Sequence, residues 1–468
     1  MLYKCFIILI YLIRWCIVNK KLIISIGIIL LTTICLVLVS SFKKDNTESE
    51  ILGVVVEKND GMITIQDKEN NLYTFILDVM ELSVGDSVML KYTGLLDKNM
   101  DVQKVEVVDY SVTPKGVKRT NTSVSDSMFS KYYKLAKEKL DGMSIDEKIG
   151  QILLVEYAKD TAIDDVKKYH FAGFVFFEDD FKDKSKDDVI TMMNNLQKNS
   201  NIPLLTAVDE EGGNVVRVSS NKNLVDSKFL SPQELYKAGG LDRISTDTKD
   251  KSKVLKNLGI NVNLAPVVDV STNSSDYIYP RSLGQNTDIT AQYAKTVIEA
   301  SKGTSVSYVL KHFPGYGSSG DTHTGTSTNT KDYADIVNVD IPPFEEGIKA
   351  GAEAVMMSHN IVSSIDKDNP ASLSKDVVDI LRNNLKFTGI IITDSLDMGA
   401  VKNIDDAVVK AIIAGNDLII TKDYVSDISK IKAAIKDNTI STQDIDNMAL
   451  RVIAWKYYKG MMFTTNQK

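Results

Sequence analysis

The stretch Ile390-Ile391-Ile392-Thr393-Asp394-Ser395-Leu396-Asp397-Met398-Gly399 opens with a short apolar, β-branched run and delivers it straight into a carboxylate. A run of this length bounded by turn residues reads as a buried strand. Outward from it the same pattern returns along the chain. Short apolar runs fall at 151–156, 173–177, 203–208, 261–264, 306–310, 354–357, 389–393 and 417–420. Amphipathic segments lie between them, for example 186–198, 289–302 and 376–384. Eight β runs alternating with helices in residues 128–468 predict an α/β fold, a (β/α)8 barrel of TIM type, with a doubly wound sheet as the alternative.

A barrel of this kind carries its chemistry where the strands end, on the C-terminal face. The residues just past the runs are Asp209, Asp269 after a short extension, Lys311 with His312, Ser358 with His359, and Asp394. A buried strand that ends in an ionisable group is costly unless the group faces a cleft. Polar groups at five strand ends therefore point to a catalytic or polyhydroxyl-binding face. Asp394 can be a nucleophile toward an anomeric carbon; equally, Asp394 or Ser395 could cap a following helical turn. After the fifth run, Lys311-His312-Phe313-Pro314-Gly315-Tyr316-Gly317 leads into Ser318-Ser319-Gly320-Asp321-Thr322-His323-Thr324, whose glycines and small polar residues suggest a mobile loop. Asp321 and His323 are two apart, and a carboxylate beside an imidazole orients the ring and raises its basicity. The plain alternative is a solvated loop in which both are incidental.

Composition narrows the classes. The chain has 468 residues, 43% apolar and 25% charged, which excludes disorder, collagen and coiled coil as overall descriptions. A net charge of −7 leaves no basic surplus for phosphates, so nucleic acid is not an expected partner. Cys5, Cys16 and Cys35 all precede residue 40, and the rest of the chain has no cysteine for a disulfide, a thiolate nucleophile or a zinc site.

Residues 22–39 (LIISIGIILLTTICLVLV) form an uncharged run of 18 residues. At about 1.5 Å per residue this is near the lower limit for crossing a hydrocarbon core of about 30 Å. Arg14, Lys20 and Lys21 stand upstream, whereas Lys43 and Lys44 are offset by Asp45, Glu48 and Glu50. The expectation is a membrane anchor in residues 1–44, a single transmembrane helix with the body extracellular. Alternatives remain: the apolar stretch 6–13, broken by Arg14, could pair with it as a hairpin and return the body to the cytoplasm, or could equally be an interfacial helix or part of a mis-assigned start; and a signal peptide could be cleaved, since Val39 and Ser41 satisfy a small-residue rule. Ile34 before Cys35 does not fit a lipoprotein pattern. Residues 51–110 contain five β-branched runs separated by turn signals and predict a small β-barrel-like all-β module. Residues 111–127 (SVTPKGVKRTNTSVSDS) read as a linker.

Taken together, the blocks of residues 128–468 resemble glycoside hydrolase family 3, and within it the single-barrel β-N-acetylglucosaminidase (β-N-acetylhexosaminidase) group. The resemblance is carried by Glu147-Lys148-Ile149-Gly150-Gln151, Ala207-Val208-Asp209-Glu210-Glu211-Gly212-Gly213, Gly259-Ile260-Asn261-Val262-Asn263-Leu264-Ala265-Pro266-Val267-Val268-Asp269-Val270, Arg281-Ser282-Leu283-Gly284, Pro370-Ala371-Ser372-Leu373-Ser374 and the two motifs above. It implies a retaining, exo-acting hydrolysis of terminal β-linked N-acetylglucosamine, from cell-wall-derived (peptidoglycan) or related glycans, without metal or cofactor. Asp394 matches the family's nucleophile, His323 this group's general acid/base, and Asp321 its paired carboxylate. Asp209, Arg217, Arg281, Lys311 and His312 match positions that hold the sugar, and Met398 a residue that packs near it. The family usually has His where Tyr316 stands and Arg where Asn214 stands. Because the chain ends soon after the eighth helix, at 451–462, the second sandwich domain of many members is not expected.

Other functions leave a distinct trace. A family 3 β-glucosidase or β-xylosidase is disfavoured by the Asp321-Thr322-His323 loop, which those relatives lack. A catalytically inactive, anchored wall-glycan-binding barrel has only Tyr316 and Asn214 in its favour. A metal hydrolase could draw on His312, Asp321 and His323, but the chain has no close His pair or Cys spacing to support it.

Overall fold

The computed structural model describes residues 48–59, 62–67, 70–77, 87–97, 102–103, 105–113 and 127–462. The apolar run at 22–39, and most of the 111–127 linker, lie outside the described residues. Among the described residues, no helix is long and apolar enough to cross a membrane.

Five antiparallel strands come first: β1 (Glu48–Asn59), β2 (Met62–Gln66), β3 (Leu72–Ile76), β4 (Ser87–Thr93) and β5 (Glu106–Thr113), in the order β3-β2-β1-β4-β5. Alternation of apolar and polar residues puts Val55, Ile63, Ile65, Tyr73, Phe75, Val88 and Leu90 into one core. The Gln103 amide donates to the Thr74 carbonyl at 2.7 Å, tying the segment before β5 back to β3.

The larger body is an eight-stranded sheet of parallel strands: β6 (Leu153–Glu156), β7 (Gly173–Phe176), β8 (Leu205–Val208), β9 (Val262–Asn263), β10 (Ser307–Phe313), β12 (Ala354–Met357), β14 (Ile390–Thr393) and β15 (Ile419–Thr421). The two-residue strands β11 (Thr328–Asn329) and β13 (Ile361–Val362) pair separately. β15 pairs with β6, and a parallel bridge from Ile392 to Leu418 joins β14 to the segment entering β15, so the sheet is a nearly closed barrel. Every residue of β7, β8, β12 and β14 is buried, which is why these strands read as continuous apolar runs rather than alternating ones. Full burial of each isoleucine in Ile390-Ile391-Ile392 contributes about 1.5–3 kcal/mol.

Local signals set the surrounding helices. Lys186–Lys198 starts at Ser185, whose hydroxyl accepts from the Asp188 amide while the Asp188 carboxylate accepts from the Ser185 amide; Val189, Met193 and Leu196 form its buried stripe. The 376–384 segment is less regular than its pattern suggests: an α-helix at Lys375–Asp379 passes into a π-helical turn at Ile380–Asn384. At the first strand, Gln151 is not a β residue. It closes the helix Ile145–Gly150 and uses its side-chain amide to donate to the carbonyls of His170 and Phe171.

The fifth barrel strand is longer than expected. β10 continues past Leu310 through Lys311 and His312 to Phe313, with an irregular register against β12 between Leu310 and Phe313. Two charged or polar side chains are tolerated inside a buried strand because both have built partners on neighbouring strand ends.

Candidate active site

Those partners define the site. The Lys311 ammonium donates to Asp209 Oδ1 at 2.6 Å and lies 2.7 Å from Glu211 Oε1. Glu211 also accepts from Arg281, Nη2 to Oε1 at 2.7 Å and Nε to Oε2 at 3.0 Å, a bidentate fork. Lys311 and Glu211 are each only 2% exposed. Burial alone would push the Glu211 carboxyl up, but Arg281 and Lys311 hold it well below the usual carboxylate range. Burial alone would push the Lys311 ammonium down, but Asp209 and Glu211 hold it above its ordinary value. Glu211, Lys311 and Arg281 are therefore ionised at neutral pH, and each of these charges depends on the others for its desolvation cost.

His312 extends this cluster. Asp269 is fully buried, and its carboxylate accepts from the His312 ring Nδ1 at 2.8 Å and from the His312 amide at 3.2 Å. A carboxylate only accepts, so Nδ1 carries the proton and Nε2 faces Arg281 Nη2 at 3.4 Å. Asp209 and Arg217 form a looser pair at 3.7 Å, and the Arg217 guanidinium lies over the Phe177 ring at 5.5 Å. Arg217 Nε is buried with no partner. The loop carrying Arg217 is shaped by Glu210, whose buried carboxylate accepts from the amides of Arg217, Val218 and Ser219. Its turn needs Gly212, at φ +106°, where a Cβ would stand 2.1 Å from the Leu230 carbonyl oxygen.

Asp394 stands at the end of β14. Burial pushes its carboxyl up, but His359, His312, Lys311 and the Ser395 amide pull harder, so it sits below its ordinary value and is ionised. The Ser395 amide donates to Asp394 Oδ1 at 2.8 Å. No helix follows directly; among the described residues the next begins at Ala407, so the helix-cap reading of Asp394 is not what the chain builds. His359 supports the same segment. Its Nε2 donates to the Ser395 carbonyl at 2.8 Å, which leaves Nδ1 to accept from the Ser372 hydroxyl at 2.7 Å. Burial pushes the His359 pKa down, while the Asp394 carboxylate and the Ser395 carbonyl pull it the other way.

The Asp321–His323 pair sits on the loop after β10. Asp321 Oδ1 accepts from the His323 ring Nδ1 at 2.7 Å and from the His323 amide at 2.9 Å, so the free Nε2 is the atom left for proton transfer. Burial pushes the Asp321 carboxyl up, but the His323 amide and ring and the Tyr277 hydroxyl bring it below its ordinary value. The loop is docked rather than loose. The Gly399 amide donates to the His323 carbonyl at 3.1 Å and the Ala400 amide to the Thr322 carbonyl at 3.0 Å. The acid/base candidate is thus fastened by main chain to the segment that follows Asp394. Met398, buried in that segment, donates its amide to the Ser395 carbonyl at 3.1 Å.

The structure brings Asp209, Arg217, Arg281, Lys311 and His312 into one connected network, with Asp394 electrostatically coupled to Lys311 and His312. The Asp321–His323 pair forms a separate unit at the rim. Sequence reasoning did not single out Glu211, the hub of the ionic network, or Tyr277, whose hydroxyl lies 3.3 Å from His323 Nδ1. Glu211 does follow Asp209 and Glu210 just past β8, and that run of three carboxylates at a strand end was the available signal.

An ionised carboxylate beside the Lys311 and Arg281 cations and an imidazole with a free ring nitrogen are the two groups that a double-displacement glycosidase needs. Residues 144–455 match the glycosyl hydrolase family 3 N-terminal domain. The chain is 30% identical over 269 residues to the β-hexosaminidase LpqI of Mycobacterium tuberculosis, covering 54% of this chain and 68% of that one. Among solved structures, a glycoside hydrolase family 3 β-N-acetylglucosaminidase from Paenibacillus sp. matches with a TM-score of 0.65 and 26% identity, over 69% of this chain and 65% of that one. A β-N-acetylhexosaminidase from Beutenbergia cavernae matches with a TM-score of 0.61 and 25% identity, over 68% of this chain and 99% of that one.

Proposed function

The chain belongs to glycosyl hydrolase family 3, and from that membership we propose that it is a retaining, exo-acting β-N-acetylglucosaminidase that removes terminal β-linked N-acetylglucosamine from cell-wall-derived glycans. The observation that carries the reading is the Asp321–His323 pair docked by backbone hydrogen bonds onto residues 399–400, just beyond Asp394. In the first step His323 gives its proton to the leaving oxygen as the Asp394 carboxylate bonds to the anomeric carbon. In the second, His323 takes a proton from water, the water oxygen bonds to that carbon, and Asp394 leaves as a carboxylate. Asp321 keeps the imidazole oriented through its hydrogen bond to the ring Nδ1. Asp209, Arg217, Arg281, Lys311 and His312 hold the sugar's hydroxyls and N-acetyl group, and Met398 packs near it. We propose further that residues 22–39 anchor the chain in the membrane with the catalytic body outside. That reading rests on their length, their lack of charge and the basic residues upstream.

The test compares aryl β-N-acetylglucosaminide with aryl β-glucoside, for the unaltered chain and for Asp394→Asn. Preference for the N-acetyl sugar, lost by several orders of magnitude in Asp394→Asn, is expected. Equal use of the glucoside, or full activity without the Asp394 charge, would overturn the reading.

A further inference from the structure

Thr322 lies between the two members of the dyad, yet it is fully buried while the side chains of Asp321 and His323 are 31% and 55% exposed. Its hydroxyl is hydrogen-bonded to the Tyr316 hydroxyl. Tyr316 is itself immobilised on every side. Its ring is buried, its amide donates to Asp269 Oδ1 at 2.7 Å, and its carbonyl accepts from the Ser319 hydroxyl and the Asn360 side chain. The ring meets His312 edge-on, with centroids 5.1 Å apart and planes at 73°. Tyr277 packs against it at 5.8 Å and carries its own hydroxyl to the dyad. One buried carboxylate, Asp269, therefore sets both the His312 ring and the backbone of Tyr316, and the Tyr316 phenol reaches the centre of the acid/base loop.

We propose that Tyr316 is a positioning residue for the acid/base step, acting through the Thr322 hydroxyl to hold the Asp321–His323 dyad in its working place. A loop whose tip is solvent-exposed has few apolar contacts of its own, so it opens at low cost unless a buried anchor opposes that. The Tyr316–Thr322 hydrogen bond is such an anchor, because removing either hydroxyl leaves the other buried without its partner. Tyr316 touches no reacting atom in this account. Its effect is on the fraction of molecules in which His323 is placed to transfer a proton. The inference rests on His323 being the acid/base.

The experiment measures Tyr316→Phe, Thr322→Val, Thr322→Ser and the double variant Tyr316→Phe/Thr322→Val beside His323→Ala. Each is assayed on a β-linked N-acetylglucosamine disaccharide, whose leaving group needs a proton, and on a dinitrophenyl glycoside, whose leaving group does not. Tyr316→Phe and Thr322→Val are each expected to lower kcat on the disaccharide about tenfold. The burst of dinitrophenol from the first step should change less than about twofold, and azide should restore steady turnover on that substrate. Thr322→Ser, which keeps the hydroxyl, should stay near the unaltered chain, and the double variant should lose no more than either single one. If His323→Ala shows the leaving-group dependence but Tyr316→Phe lowers both substrates equally and ignores azide, Tyr316 is only structural and the proposal fails. If His323→Ala shows no leaving-group dependence, the acid/base assignment fails and the proposal with it.

Discussion

Replacing Glu211 by glutamine removes one charge from a site where two cations depend on it. Its two oxygens meet Arg281 at 2.7 and 3.0 Å and Lys311 at 2.7 Å. Glutamine can offer one oxygen, but its amide donors would face the donors of Arg281 and Lys311. Lys311, only 2% exposed, would keep Asp209 as its one carboxylate, and Arg281 would lose its bidentate partner. Removing one member of a buried ionic cluster costs about 3–5 kcal/mol, because the remaining charges stay desolvated. Denaturant unfolding at pH 7, read from the midpoint at unchanged slope, should show a loss in that range. The pH dependence has a definite sign. The folded pKa of Glu211 is depressed below its unfolded value of about 4.3, so its stabilisation is complete above that value and is lost as the pH falls through the folded pKa. The gap between the two proteins should be flat from pH 6 to 8, roughly, and should narrow only in acid, well below pH 4. A loss under about 1 kcal/mol at pH 7 would refute the view that this carboxylate carries the network.

Three further outcomes are expected. Lys456 is fully buried, its ammonium donates to the Gln151 side-chain oxygen at 2.8 Å, and burial pushes it down to about 7. The unfolded chain therefore holds an extra proton between about pH 7 and 10.5, so stability rises with pH across that window; Lys456→Met should stabilise the protein by up to about 4 kcal/mol at pH 7 and by progressively less toward pH 10 in thermal or denaturant unfolding. Gly399→Val should lower turnover on a disaccharide by up to about a hundredfold while sparing the aryl burst, because a Cβ there would stand 2.5 Å from the His323 carbonyl oxygen and lift the loop that carries Asp321 and His323. Protease added to intact cells should digest the catalytic body; protection until lysis would contradict the proposed orientation of residues 22–39.

The barrel was legible because its strands are buried on both faces. Runs such as Ile390-Ile391-Ile392 and Ala354-Val355-Met356-Met357 are continuous and apolar, and each is followed by a polar group that a closed core would not accept. The 186–198 helix was legible to the residue because Ser185 and Asp188 form its start locally. What escaped was set by distant partners. Nothing in Asp209-Glu210-Glu211 says that Glu210 turns to the amides of residues 217–219 while Glu211 turns to Arg281, 70 residues on. The extension of β10 through Lys311 and His312 was hidden for the same reason, since Asp209, Glu211 and Asp269 come from other strand ends. The loop 313–324 reads as mobile from its glycines and serines. Its docking comes from Tyr316, Gly399 and Ala400, and Thr322 is buried in spite of the polar company it keeps.

The central claim is that Asp394 becomes covalently bonded to the sugar while His323 handles the proton. It is tested most directly by mass spectrometry of the His323→Ala chain quenched during turnover of dinitrophenyl β-N-acetylglucosaminide. With water activation removed, the glycosyl-enzyme should accumulate, and fragmentation should place one N-acetylhexosamine on the peptide containing Asp394. An unmodified Asp394 peptide under continuing dinitrophenol release, or a sugar found on another residue, would contradict the account.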